Sequence, residues 1–249
     1  MFSPNVKITR DGAVLCVTFD RPDKKNALNR AMYMAATEAL RRADSDPSIG
    51  AVVFAGSGGV FTAGNDIGDF LEAPAEPGEF PAFTFIRTLA ACETPLVAAI
   101  EGIAIGIGAT MMLHCDLVYA APDTVFRLPF VDLGLVPEAA SSLLFPRRIG
   151  MAKAAELMLL GEPFDAESAV RLGLANAIVP ACELYGFAIE RAARLAAKPR
   201  AAIAATRQLM RGETPEILAR IEEEAWLFSA AMRSEEARAA FAAFLGKAR

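Results

Sequence analysis

The sequence predicts an α/β core of about 140 to 150 residues, followed by a helical region of about 100 residues. In the N-terminal half, short apolar runs alternate with helical or glycine-rich connections. From about Arg147 the chain is rich in alanine and has helical spacing. With 249 residues, of which 54% are hydrophobic and 22% charged, the chain can bury a sizeable core, and an intrinsically disordered protein is excluded.

The predicted strands are short apolar runs that end in polar or glycine-rich sequence. Residues 14–19 form the first run, and a proline-containing turn ends it. Residues 51–55 and 96–100 are two further runs, and each opens onto glycine. Two shorter strands are predicted at residues 117–120 and 125–128.

Helices are predicted from apolar spacing and capping residues. Asn29 is suited to cap a helix whose apolar residues recur at intervals of three and four: Met32, Ala35, Ala36, Ala39, Leu40 and Ala43. Near the C-terminus, Thr214 followed by Pro215 is expected to begin one helix, and Ser234 to cap the last. The acidic, proline-rich residues 71–81 are predicted to form no regular element and are the best candidate for a mobile loop.

Net charge limits the classes of partner. The chain carries 25 basic and 30 acidic residues, which gives a net charge of −5. Because no overall positive field exists, neither nucleic acid nor an anionic membrane surface is an expected partner. An anionic ligand would have to be held by local groups.

Cysteine and histidine usage points to a reducing compartment and to no metal site. The four cysteines, Cys16, Cys92, Cys115 and Cys182, have no C-x-x-C spacing and are predicted to be buried thiols. His114, the only histidine, excludes every two-histidine zinc motif and is expected to be a buried, hydrogen-bonded core residue. Neither terminus resembles a secretory or peroxisomal signal, so a cytoplasmic protein is expected.

Residues 96–113 are the strongest candidate for a membrane span. The stretch is apolar and contains a G-x-x-x-G spacing of the kind that packs membrane helices. Glu101, Pro95 and three glycines interrupt it, however, and a charge inside a bilayer is costly. A strand, a turn and a buried helix are therefore the favoured prediction.

Three motifs could carry chemistry, and the first lies at residues 61–67. Ala63 and Gly64 offer no side-chain obstruction there, so the amides that follow could face a ligand as donors. The alternative is an ordinary helix cap formed by Asn65 and Asp66.

The second motif, residues 101–109, joins a strand end to an apolar helix. Free amides at a helix N-terminus favour an oxyanion. A dinucleotide-binding fingerprint is excluded because Met111 stands where that motif needs a small residue. The alternative interpretation is close packing of a helix on a strand.

The third motif, residues 133–142, places Glu138 between proline and small residues with apolar flanks. This environment favours a partly buried carboxylate with a shifted pKa. Alternatively, Glu138 would lie in the first turn of a helix that begins near Ala139, where an acidic residue is favourable without any chemistry.

These three motifs, in this order, resemble the enoyl-CoA hydratase/isomerase, or crotonase, family, and the resemblance covers almost the whole chain. Further matching segments lie at residues 21–22, 26–28, 102–120, 126–137 and 241–247, with single matching positions at Gly161, Ala169, Gly173 and Leu174. The resemblance implies a ClpP-like spiral of ββα turns over residues 1–195 and a helical trimerisation region over residues 196–249. It also implies acyl-CoA substrates and a homotrimer or a hexamer made of two trimers. Coenzyme A would be part of the substrate, so no separate cofactor is expected.

The resemblance further implies an oxyanion hole formed by the backbone N–H groups of Asn65 and Ile107. Hydratases of this family carry two glutamates, whose positions here are occupied by Thr110 and Phe130. Neither residue can take a proton as a carboxylate does, which disfavours hydration. Residues 129–142 are instead similar to the single-glutamate 3,2-trans-enoyl-CoA isomerases, which implies that Glu138 is the catalytic base, with a pKa raised by its apolar neighbours.

Substrate contacts are carried over from the family residue by residue. The resemblance implies CoA binding by residues of three segments: the segment before the first predicted helix, the first motif (residues 61–67) and the last helix. These residues are Lys24, Lys25, Ala27, Leu28, Ala63, Gly64, Asp66, Ile67, Phe244 and Lys247. It implies an acyl pocket lined by Phe70, Leu71, Met111, Phe130 and Leu135. For the two lysines, the alternative is that they are exposed turn residues without a ligand.

Isomerisation of 3-enoyl-CoA is therefore the favoured function. A hydratase, or another reaction through a thioester enolate, is the alternative on the same scaffold. A catalytically silent assembly subunit is the alternative from another class, and the presence of both amide loops and Glu138 argues against it.

Overall fold

The computed structural model describes residues 3–71, 80–212 and 214–247. Its strands are β1 (Val6–Asp11), β2 (Val14–Phe19), β3 (Ala51–Gly56), β4 (Leu96–Ile100), β5 (Ile103–Ile105), β6 (Leu117–Ala120), β7 (Val125–Arg127), β8 (Phe164–Asp165) and β9 (Ala177–Ile178). The helices are α1 (Arg30–Ser45), α2 (Ile67–Leu71), α3 (Pro81–Ala91), α4 (Ile107–Thr110), α5 (Ser141–Ile149), α6 (Met151–Leu159), α7 (Ala166–Arg171), α8 (Ala181–Ala196), α9 (Arg200–Arg211), α10 (Thr214–Ala231) and α11 (Glu235–Lys247).

The strands form two sheets. The larger has six strands in the order β1-β2-β3-β4-β6-β9, and the smaller has three in the order β5-β7-β8. All pairings are parallel except β1 with β2 and β7 with β8. Because the carboxyl ends of β3 and β4 lie side by side, the loops that follow them meet at one edge of the larger sheet.

The five predicted strands are confirmed as β2, β3, β4, β6 and β7. The predicted helix at α1 is also confirmed, with Asn29 Oδ1 accepting a hydrogen bond from the Met32 N–H at 2.9 Å. In the last helix, Ser234 Oγ accepts from the Ala237 N–H at 3.1 Å, as predicted. The stretch 96–113 is a strand, a second short strand, α4 and a 3₁₀ turn.

Strand β1 and helix α3 are two of the elements that were not predicted; β5 and α2 are others. Strand β1 lies at the edge of the larger sheet and is mostly exposed, so its sequence carries polar residues rather than an apolar run. Helix α3 begins at Pro81 in its first turn and buries Phe83, Phe85 and Leu89.

Three sequence predictions need correction. Residues 71–81 were expected to form no regular element, yet Leu71 ends α2 and Pro81 begins α3; residues 72–79 lie outside the described residues. The region after Arg147 is not purely helical, because β8 and β9 each add a two-residue strand to a sheet. Cys182 is exposed near the start of α8, whereas the other three cysteines are buried as predicted.

The larger sheet is covered on both faces. One face contributes alternate residues to the main core, including Leu15, Val52 and Ile100. The other face packs against the buried side of α8, where Leu184 and Ala188 lie. Within the part of the chain that the structure describes, no helix combines the length and apolar character needed to cross a bilayer.

Candidate active site

The first two motifs form loops that lie directly against each other. The Thr62 N–H donates to Ile103 O at 3.0 Å, and the Ile105 N–H donates to Thr62 O at 3.1 Å. A Cβ on Gly64, whose φ is +91°, would lie 2.8 Å from Ile105 O, and a Cβ on Gly108 would lie 2.6 Å from Thr62 Cγ2. These two glycines allow a contact between the loops that larger residues would prevent.

The contact leaves two amides without acceptors. The Leu28 N–H donates to Gly64 O at 2.8 Å and the Asp66 N–H donates to Leu28 O at 2.9 Å, on either side of Asn65. Among the hydrogen bonds of the described residues, neither the Asn65 N–H nor the Ile107 N–H has an acceptor in the protein. Ile107 is the first residue of α4, where the partial positive charge of the helix N-terminus adds to the donor.

Tyr33 of α1 holds the loop that contains Asn65 through a side-chain hydrogen bond. Its hydroxyl donates to Asn65 Oδ1 at 2.5 Å, and the phenol ring is fully buried. Burial, the charge of Glu138 and the charge of Asp69 together raise the pKa of Tyr33 well above its usual value. The phenol therefore keeps its proton as a donor.

Glu138 is a buried carboxyl bonded to α4. It is 2% exposed, and Thr110 Oγ1 donates to its Oε1 at 2.5 Å. Burial raises the pKa of Glu138 to about 8, the Thr110 hydrogen bond lowers it, and the charge of Glu224 raises it. Thr110 lies one helical turn after Ile107, so this bond brings the carboxyl to the helix that carries the free amide.

The turn after Glu138 has an unusual backbone. Ala139 and Ala140 have φ values of 62° and 53°, in the left-handed region that alanine rarely adopts. Helix α5 begins only at Ser141, so Glu138 lies before the helix and not in its first turn. His114, buried as predicted and with its pKa lowered by burial to about 4, donates from Nε2 to Ala139 O at 2.8 Å.

Comparison with known proteins decides the family. Residues 9–249 match the profile of the family described as "Enoyl-CoA hydratase/isomerase". The chain belongs to the enoyl-CoA hydratase/isomerase family.

The chain is similar to several known proteins over between 72% and 98% of its length. The chain is 34% identical to enoyl-CoA delta isomerase 2 of Rattus norvegicus over 98% of its own length, and it spans 64% of the length of that protein. It is 38% identical to a probable enoyl-CoA hydratase, echA8, of Mycobacterium bovis, with 72% of this chain and 70% of that protein covered. The structure of OdaA from Pseudomonas aeruginosa superposes with a TM-score of 0.93 at 41% identity, covering 98% of this chain and 99% of the other. The predicted crotonase fold with its helical C-terminal region is thereby confirmed.

The predicted CoA-binding residues whose side chains the structure describes lie in the first motif or in the segment bonded to it. The Ala63 N–H donates to Lys25 O at 2.9 Å, which joins the Lys24–Leu28 segment to that loop. Both lysines are exposed. Asp66 is partly buried and forms an ion pair of 2.6 Å with Arg21. The side chains of Phe244 and Lys247 lie outside the described part of the structure.

The predicted acyl-pocket residues that are described belong to the main core. Met111, Phe130 and Leu135 are buried in the same apolar cluster as Ile107. The side chains of Phe70 and Leu71 lie outside the described part. The structure thus buries the three described members in the main core, and the acyl pocket itself stays a prediction.

The candidate active site also contains groups that were not predicted from the sequence. Thr110 was noted only as a departure from the two-glutamate pattern, although its hydroxyl bonds Glu138 directly. Tyr33 lies on the buried face of α1 and gave no signal beyond apolar spacing. Glu224 of α10 is also buried, and its sequence neighbours, Glu222 and Glu223, gave no means of telling it from a surface residue.

Proposed function

We propose that the protein isomerises 3-enoyl-CoA thioesters to trans-2-enoyl-CoA thioesters, with Glu138 as the only residue that transfers the proton. The observation that carries this proposal is that the Glu138 carboxyl is bonded to the hydroxyl of Thr110, and among the described residues no second carboxyl group is bonded to it. One carboxyl suffices for a 1,3-proton shift. Addition of water requires both activation of the water and protonation of carbon, which a single carboxyl serves poorly.

The proposed reaction begins with Glu138 as a carboxylate. It takes a proton from C2 of the 3-enoyl thioester, and the electron pair of the broken C–H bond spreads over C2, C3, C4 and the thioester oxygen. Glu138 then returns the proton to C4, which leaves the double bond between C2 and C3. A pKa of about 8 suits both steps, because the group is neither a very weak base nor a very weak acid near neutral pH.

The N–H groups of Asn65 and Ile107 would stabilise the negative charge on the thioester oxygen. Both are donors without a protein acceptor among the described residues, and both belong to loops fixed against each other. Donors that are already in place need no reorganisation when the dienolate forms, and removing one such donor typically costs about 3 to 4 kcal/mol of barrier.

The CoA moiety and the acyl chain of the substrate would bind the residues predicted for each of them. We expect Lys24 and Lys25 to meet the phosphates, since both are exposed next to the first loop. The acyl chain would reach the apolar side chains around Met111 and Leu135.

A homo-oligomer remains part of the proposal. Helices α9 and α10 expose large apolar side chains, with Leu209 and Met210 more than three-quarters exposed at 85% and 80% and Trp226 at 63%. Apolar side chains at this level of exposure are typical of a surface covered by another subunit. A trimer, alone or paired into a hexamer, would cover them.

The experiment compares two substrates with purified protein: 3-hexenoyl-CoA, followed by appearance of the 2-enoyl thioester, and crotonyl-CoA, followed by loss of its absorbance on hydration. We expect the kcat/KM for isomerisation to exceed that for hydration by about 100-fold or more, since only hydration needs a second proton-transferring group. Hydration that is equal or faster would overturn the proposal in favour of a hydratase. Absence of both reactions, in a protein that binds hexanoyl-CoA, would favour a silent assembly subunit.

A further inference from the structure

Helix α10 buries a carboxylate against the turn that carries Glu138. Glu224 is 4% exposed, and its Oε2 accepts a hydrogen bond from the Ala140 N–H at 2.6 Å. Its Oε1 accepts from the Ser142 N–H at 3.0 Å and from Ser142 Oγ at 2.5 Å. Burial of a carboxylate is unfavourable unless hydrogen bonds compensate for it. Here three donors from one turn provide that compensation.

The direction of the Ser142 hydrogen bond follows from Arg220. The guanidinium Nη1 of Arg220 donates to Ser142 Oγ at 3.1 Å. The hydroxyl therefore accepts from Arg220 and donates its own proton to Glu224. All three groups that bond Glu224 are donors, and their hydrogen bonds lower its pKa, although burial raises that pKa more.

The turn that Glu224 holds is the strained one. Ala139 and Ala140 both have left-handed backbones, which cost free energy for any residue with a Cβ. Such a conformation persists only where surrounding contacts impose it. Two hydrogen bonds reach this turn from distant parts of the described chain: Glu224 Oε2 accepts from the Ala140 N–H, and His114 Nε2 donates to Ala139 O. The first of these comes from a helix 84 positions away in the sequence.

We propose that Glu224 is a positioning residue for Glu138: by binding the Ala140 and Ser142 amides it holds the left-handed turn that presents the Glu138 carboxyl to Thr110 and to the substrate. This rests on the proposed function of Glu138. The chain of contacts is continuous, because Ser141 Oγ and the Ser141 N–H both donate to Glu138 O, at 2.5 and 3.1 Å, between the two residues that Glu224 binds.

The alternative is that Glu224 only caps α5 and fastens α10 to the core. A cap also benefits from a negative charge at the helix N-terminus, and its loss would lower stability without moving the Glu138 carboxyl. The two roles therefore differ in what happens to turnover in protein that is still folded.

The test uses Glu224→Gln and Glu224→Ala with 3-hexenoyl-CoA as substrate. Glutamine has the same shape as glutamate, but an NH₂ group replaces one carboxylate oxygen. That group is a donor and cannot accept a hydrogen bond from the Ala140 or the Ser142 N–H. We expect kcat to fall about 10- to 100-fold in each variant, with KM changed less than about threefold, because displacement of a reacting group by about 1 Å is enough for such a loss. Glu222→Gln is the matched control: it lies on the same helix, pairs with Arg87 at the surface, and should leave kcat unchanged.

A second substitution separates positioning from stability. Glycine adopts the left-handed backbone without penalty, so Ala140→Gly in the Glu224→Ala background should restore kcat at least tenfold towards the wild-type value. Crystal structures of the Glu224→Gln variant should show the Thr110 to Glu138 distance lengthened beyond about 3.5 Å, where a hydrogen bond is lost.

The proposal is overturned if folded Glu224→Ala retains kcat within twofold, if only KM rises, or if Ala140→Gly brings no recovery. It is also overturned if the Glu224→Gln structure keeps the turn and the Thr110 bond unchanged. Failure of the proposed function gives a different result: either the wild-type protein would show no isomerisation faster than hydration, or Glu138→Gln would retain isomerase activity, whatever the Glu224 variants do.

Discussion

Thr110 Oγ1 lies 2.5 Å from Glu138 Oε1 and donates a hydrogen bond to it in a fully buried environment. The bond favours the ionised carboxylate and so offsets part of the cost of its burial. It also engages one oxygen of the carboxyl, which leaves Oε2 as the atom to carry the proton in the proposed reaction. Thr110 occupies one of the two positions where the two-glutamate pattern has a carboxylate, and here it supports Glu138, a carboxyl at a third position.

Thr110→Val should shift the pH dependence of isomerisation. The hydrogen bond lowers the pKa of Glu138, so its loss should raise that pKa by about one unit, as expected for a bond to a charged group. The ascending limb of kcat/KM should move to higher pH, with a rate at pH 7 about tenfold lower. The charged or titratable groups around Glu138, namely Glu224 from α10, Tyr33 from α1 and His114, are unchanged by the substitution.

Thr110→Ser is the control, because it retains the hydroxyl and should keep the wild-type pH profile. A valine variant whose ascending limb lies at the wild-type pH would show that the Thr110 bond does not govern the titration of Glu138.

Glu138→Gln should change how stability depends on pH. The folded-state pKa of about 8 is above the ordinary value of 4.5, so between these values the folded protein holds a proton that the unfolded chain has lost. The free energy of unfolding of the wild type should therefore fall with rising pH in this window, by at most about 1.4 kcal/mol per unit. Glutamine cannot titrate, so urea unfolding at pH 5 to 9 should show that the variant lacks this decline; parallel curves would contradict the raised pKa.

Tyr33→Phe should reduce turnover through the Asn65 loop. The substitution removes the donor to the partly buried Asn65 Oδ1, at a cost of about 1 kcal/mol in unfolding free energy. We expect kcat to fall about tenfold with little change in KM, because the Asn65 N–H would be less well placed for the dienolate. Tyr185→Phe on the partly exposed face of α8 is the control. A loss of stability with kcat unchanged would mean that Tyr33 supports only the core.

Gly64→Ala should disrupt the contact between the two loops. A Cβ there would lie 2.8 Å from Ile105 O, and φ is +91°, so both space and backbone oppose the substitution. We expect loss of isomerisation by about 100-fold or more, since both amide donors depend on this contact. The matched control is Gly186→Ala in α8, where a Cβ meets nothing within 4 Å and alanine should raise stability by about 1 kcal/mol. Full activity in Gly64→Ala would contradict the assignment of the loops.

The parts of the fold that could be predicted from the sequence are those in which apolar residues form a run or recur at a regular spacing. Strands β2 to β4 are unbroken apolar runs because both faces of the sheet are covered, and α1 has a clear apolar stripe with a capping asparagine. Strand β1 was missed because an edge strand needs few apolar residues, and α3 because its first turn is proline next to an acidic, proline-rich stretch.

The candidate site was predictable only where its groups lie in motifs. Gly64, Ile107 and Glu138 each stand in a segment with its own local signature. The supports do not: Tyr33 reaches Asn65 across 32 positions, and Glu224 reaches Ala140 across 84. Contacts between distant parts of a chain leave no periodic pattern, so only the folded structure reveals them.

The most direct test of the central claim is the rate of 3-hexenoyl-CoA isomerisation by Glu138→Gln, measured with protein whose binding of hexanoyl-CoA has been shown to match that of the wild type. Matched binding ensures that any loss of rate lies in the chemical step. If Glu138 transfers the proton, kcat/KM should fall by about 1,000-fold, within the range that a positioned acid or base contributes. Activity within tenfold of the wild type would contradict the assignment and require another group as the base.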